Sequence, residues 1–99
     1  MIHEWVVVNQ LHFRDPATEA TLQACQDAVR GVVDAGATAA RVLKVDDTHL
    51  ILLLEFPSLD EANRVAQEVG GPWMREHIVP LLAEGTERSV GVVVASAAR

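Results

Sequence analysis

The sequence predicts an α+β domain in which a four-stranded antiparallel sheet carries its helices on one face. Three observations lead there. Residues 5–13, "WVVVNQLHF", alternate as a strand does. Apolar residues of the next segment recur at helical spacing. Short turn signals then separate further strand-like and helical stretches in the order β-α-β-β-α-(α)-β.

In the first strand, alternation puts Trp5, Val7, Asn9, Leu11 and Phe13 on one side and Val6, Val8, Gln10 and His12 on the other. The first set would be wholly apolar but for Asn9. A buried amide without partners costs about 1–3 kcal/mol, so its carboxamide must meet protein, water or ligand. In "RDPATEA", Asp15 is expected to cap a helix of about 20 residues, with Pro16 in its first turn. Leu22, Cys25, Val29, Val32 and Val33 would face inward, and the helix would end near Gly36.

"AARVLKV" (39–45) and "HLILLLEF" (49–56) form a hairpin about the turn "DDTH". The second of these strands is apolar almost throughout, which predicts burial on both faces. Ser58 and Glu61 are spaced as a capping box, and Leu59, Ala62, Val65, Ala66 and Val69 line one side of the helix that follows. Gly70-Gly71 is expected to stop it, with a new helix from Pro72 that Pro80 bends or ends. Trp73, His77 and Leu81 would lie one above another. "SVGVVVASA" (89–97) reads as the last strand. This order is the split βαβ arrangement of ferredoxin-like folds, which leaves one sheet face bare.

At 99 residues, positions 1–99 are read as a single domain. An apolar fraction of 49% exceeds what so small a monomer hides, so a homodimer through the bare sheet face is expected. The formal charge of −6 makes nucleic acid and anionic membranes poor partners. Cys25 is the only cysteine, so no intrachain disulfide is possible, and a reducing cytoplasm is the expected location. No run approaches the roughly 20 apolar residues of a membrane span, and "MIHEWVVV" lacks a basic leader region. His3, His12 and His49 show no metal-ligand spacing, Asp46-Asp47 is a turn pair, and Glu55 reads as a solvated edge group, with a pocket carboxylate as the alternative. Cys25 reads as a small buried hydrophobe, and "GGP" at 70–72 is a helix break, not a phosphate loop. The chain has no tyrosine, which excludes any mechanism using a phenol of its own.

Three stretches, "VVVNQLHF", "AGATAARVLKVDDTHLILLLEFPSLDEANRVA" and "PWMREHIVPLL", resemble the dimeric α/β-barrel superfamily, and within it the antibiotic biosynthesis monooxygenase (ABM) domain group. The resemblance covers almost the whole chain. It implies two sheets facing each other across a dimer, helices outside, and a ligand pocket in each subunit between sheet and helices. It further implies oxidation of an apolar, polyketide-like aromatic substrate without a cofactor, the substrate supplying the electrons. Under that reading Asn9 donates to a substrate oxygen, Trp73 offers a ring face or N–H, and His77 accepts a proton. Trp5, Leu11, Phe13, Val65 and Val69 would be substrate-binding. A haem-degrading branch of the superfamily uses a first-strand Asn, a Trp on the second helix and an axial His. Asn9 and His77 match by position, whereas Ala62–Val69 holds no aromatic residue. Haem binding through His77 and a non-catalytic binding or structural accessory protein therefore stand as alternatives. So do plainer roles: Asn9 bonded to backbone or water, His77 on a helix surface beside Glu76, and Trp73 as a packing anchor.

Overall fold

The computed structural model describes residues 4–99; His3 and the leader reading of the first residues lie outside them. β1 (Trp5–His12) pairs antiparallel with β3 (His49–Phe56) on one side and with β4 (Glu87–Val92) on the other, while β2 (Ala39–Asp46) pairs with β3. The sheet order is β2-β3-β1-β4, the ferredoxin-like order expected from the sequence. Every helix packs on one face.

α1 (Glu19–Ala35) is capped by Thr18, whose hydroxyl oxygen accepts from the Thr21 amide at 3.2 Å, and not by Asp15 as expected. The reason lies in the link before it. The Arg14 amide donates to the Leu81 carbonyl and the Ala17 amide to the Asp47 carbonyl, so the chain runs across the sheet end before it turns helical. Cys25 and Val32 point inward, while Leu22 and Val33 are exposed, so the buried stripe is narrower than periodicity alone predicts. Gly36 ends the helix at φ 139°, a conformation open to glycine.

Leu50, Leu52, Leu54 and Phe56 of β3 are buried, whereas Ile51 and Leu53 are only half-buried in the single chain, a correction to the burial of both faces. α2 (Leu59–Val65) starts at Ser58, whose hydroxyl accepts from the Glu61 amide at 3.1 Å. Only half of the capping box forms, because the Glu61 carboxylate accepts from Arg64 instead. Arg64 also donates to the Ala35 carbonyl and so ties α2 to the end of α1.

Gly70-Gly71 does not stop the helical path. A π-turn over Ala66–Gly70 carries it into α3 (Gly71–His77), and Gly70 itself is helical at φ −65°, ψ −47°. Pro72 explains the wide turn, since it has no N–H for an ordinary helical bond and its ring crowds the preceding turn. The Gly71 amide reaches back to the Ala66 carbonyl, and a Cβ on Gly71 would stand 2.9 Å from that oxygen. A single 3-10 turn (Val79–Leu81) forms at Pro80. β4 begins at Glu87 and leaves the ladder after Val92, so the strand read as 89–97 lies two residues earlier and is shorter.

The helix-covered face holds two clusters. Val7, Leu52, Leu54, Phe56, Ala62 and Val65 belong to one, and Leu11, Phe13, Cys25, Leu50 and Ile78 form the other. Among the described residues no helix is long and apolar enough to cross a membrane.

Candidate functional site

A half-open cavity of about 480 Å³ lies between the sheet and the helices, over the first cluster. Its floor is Val7 and Asn9 of β1 with Leu52, Leu54 and Phe56 of β3. Val32 of α1 walls it, and Ala62, Val65, Val69, Trp73 and Met74 roof it. The π-turn shapes that roof, because it swings α3 round so that Trp73 reaches both the cavity and the neighbouring cluster.

Asn9 is the polar feature of the floor. The residue is only 7% exposed, yet its carboxamide makes no side-chain hydrogen bond to any described residue. Among the described residues no side-chain nitrogen or oxygen is wholly shut from solvent space without a partner, so the amide keeps an opening, and the cavity it lines supplies that opening. The backbone ladder already uses the main-chain groups of Asn9, which sits opposite Leu52 and Arg88. Its side chain is free to serve a bound molecule.

Of the residues singled out from sequence, Asn9, Trp73, Val65 and Val69 meet at this cavity. The others do not. The His77 side chain is 43% exposed, lies 3.7 Å from Glu76, and tilts against Trp73 with ring centroids 5.9 Å apart, outside the lining. Leu11 and Phe13 are sealed in the second cluster, and Trp5 is half-buried at the far end of β1. Burial among Leu11, Phe13 and their neighbours pushes the Cys25 thiol pKa up by desolvation. On the opposite sheet face, the His12 ring stacks on His49 at 4.3 Å. There His12, Glu84 and Glu87 bring one ligand-type atom each within 4.8 Å of one another, a grouping that histidine spacing does not reveal.

Sequence reasoning also missed the polar rim: charged Asp27, Arg75 and Arg88, with the hydroxyl-bearing Thr86, line the cavity beside its apolar walls. Arg88 precedes the segment first read as a strand, so its inward alternation was hidden by the misplaced start of β4.

No protein-family model matches the sequence, and no curated protein matches it. Solved structures do. A presumptive antibiotic biosynthesis monooxygenase from Nitrosomonas europaea superposes with a TM-score of 0.82 at 16% identity, covering 95% of this chain and 93% of that one. The chain has the ferredoxin-like fold of the ABM proteins. Two further ABM-fold neighbours carry oxygenase descriptions. One is the monooxygenase ActVA-Orf6 of Streptomyces coelicolor in complex with nanaomycin D, with a TM-score of 0.77 at 15% identity over 96% of this chain and 91% of that one. The other is SnoaB, a cofactor-independent oxygenase from Streptomyces nogalater, in its N63A mutant form, with a TM-score of 0.70 at 14% identity over 96% and 95%. At these identities the likeness is one of fold.

Proposed function

We propose that the chain binds a small apolar aromatic molecule in this cavity and oxidises it with molecular oxygen, without a cofactor. One observation carries the reading: a nearly buried, unpartnered carboxamide opens onto a cavity whose remaining floor is aliphatic and aromatic. Such a site favours an electron-rich ring and stabilises charge on one of its oxygens, because a hydrogen bond gains strength where water is excluded. The neighbours described as oxygenases support the chemistry.

For an anthrone-type phenol the step balances. The ring system loses a proton to solvent at the open side, and its carbanion gives an electron to oxygen. The radicals join as a peroxide anion at the methylene carbon, which takes a proton back from solvent to become the hydroperoxide, and loss of water then leaves a ketone. Both methylene C–H bonds break, one oxygen atom enters the product, and the other leaves as water. Asn9 would donate to the anionic oxygen and Trp73 would bound the ring. His77 stands outside the lining, so neither proton acceptance nor haem ligation within this cavity is assigned to it.

A second copy of the chain is proposed to cover the bare sheet face, where Leu43 of β2, Val6 and Val8 of β1, and Ile51 and Leu53 of β3 form an apolar surface. Oxygen uptake with 1,8-dihydroxyanthrone tests the catalytic reading. Uptake above the uncatalysed rate that falls at least about tenfold in Asn9→Leu supports it. Retention of the matching quinone without uptake leaves a binding protein, and absence of both removes the cavity's functional standing.

A further inference from the structure

We infer that the ligand of this cavity carries an acidic group, and that Arg75 and Arg88 read it at the rim. The inference rests on the proposal that the cavity binds a small molecule, and it narrows the class to organic anions with an apolar body. The whole chain has a formal charge of −6, with fourteen acidic residues against eight Lys and Arg. Among the described residues only Arg64 and Lys44 of these eight cations reach a carboxylate, so it is their place at the cavity that sets Arg75 and Arg88 apart. Arg75 and Arg88 pair with none among the described residues, although both line the cavity.

Their placement is built into the backbone. Arg88 stands directly across from Asn9 in the β1–β4 ladder, which puts it on the helix-covered side of β4, while the acidic Glu87 beside it takes the other face. The Arg75 guanidinium folds back over the π-turn, and a Cβ on Gly71 would lie 3.3 Å from its Nη1. The glycine that lets the turn form thus also leaves room for this cation. Among the described residues Asp27 is the one carboxylate of the lining and already accepts from Gln23 at 3.2 Å, so the rim stays cationic by one charge. The buried Asn9 carboxamide gives independent evidence of a polar ligand atom, since it opens into the same space without a partner. A guanidinium offers paired N–H donors to a carboxylate, sulfonate or phenolate, a geometry that an uncharged ligand leaves unused.

Two fluorescent probes sharing one ring system separate this inference from the reading beneath it. Anilinonaphthalene sulfonate carries the anion and phenylnaphthylamine lacks it. The wild-type chain should bind the sulfonate about tenfold or more tightly than the neutral probe. That preference should shrink toward unity in Arg75→Gln/Arg88→Gln, and circular dichroism checks that the variant is folded. In the wild type, added sodium chloride should weaken the sulfonate alone. Equal affinity for the two probes, or a preference that survives the double substitution and high salt, overturns the anion inference and leaves the cavity reading standing. Binding of neither probe overturns both.

Discussion

The two clusters on the helix-covered face are made of the same strands and similar residues, yet one is closed and the other holds a cavity. Leu50 and Ile78 are wholly buried in the closed cluster, with Leu11 at 1% exposure. In the open cluster Leu52 and Leu54 keep 6% and 8% because their outer surfaces face the cavity. The strands do not make the difference. It comes from what lies over them: Ile78 and the end of α3 roof the Leu11 end, whereas the π-turn lifts the helical path over the Val7 end.

Truncation should tell the clusters apart most sharply. Leu50→Ala removes a side chain in contact on all sides and should cost about 3–5 kcal/mol, the upper part of the range for buried leucines. Leu52→Ala enlarges a space that exists already and should cost about half as much, with fewer packing contacts to lose. Urea unfolding of both variants at a common m-value checks this. Equal losses would mean that the cavity collapses in solution.

Adjacent glycines should respond with opposite signs. Both are helical and both line the cavity, so on backbone grounds alanine should help at either. At Gly70 the nearest atom to an added Cβ is the Val65 carbonyl oxygen at 3.8 Å, and Gly70→Ala should stabilise by about 0.5–1 kcal/mol. At Gly71 the added Cβ meets the Ala66 carbonyl oxygen at 2.9 Å, and Gly71→Ala should destabilise by about 1–2 kcal/mol and weaken probe binding. If both substitutions stabilise, the π-turn is not what holds the cavity open.

The order of strands and helices, the faces of β1 and the shared fold were all legible in the sequence, because alternation and helical spacing report burial directly. Which end of that face would be roofed was not. Leu11, Phe13, Val7 and Asn9 share one alternation, and nothing in it distinguishes a sealed position from a cavity floor. The Gly70-Gly71-Pro72 run read as a stop because glycine and proline usually end helices, whereas here they permit a wider turn. Arg75 and Arg88 escaped notice because lone surface cations are ordinary in any sequence.

A smaller effect lies at the roofed entry to α1. Thr18→Ala should cost about 1 kcal/mol by freeing the Thr21 amide, while Asp15→Ala should change little. The opposite ranking would restore Asp15 as the cap and detach the chain before α1 from its bonds to Leu81 and Asp47.

The smallest effect bears on how tightly the closed cluster is sealed. Cys25 is 3% exposed, and desolvation raises its thiol pKa above the ordinary value of 9.0. In the unfolded chain the thiol ionises near that ordinary value, while in the folded chain it stays protonated to higher pH. The unfolded state therefore binds fewer protons in this window, and alkaline pH favours unfolding. The stabilising share of the buried thiol is complete below pH 9.0 and is lost as pH rises toward the folded-state pKa. Wild-type stability should fall across that window more steeply than that of Cys25→Ala, measured by urea unfolding at successive pH values. A thiol reagent at pH 8 should label Cys25 only as fast as the chain opens. Rapid labelling of the folded protein, or parallel pH profiles for the two chains, would show the second cluster to be as open as the first and remove the contrast on which the site rests.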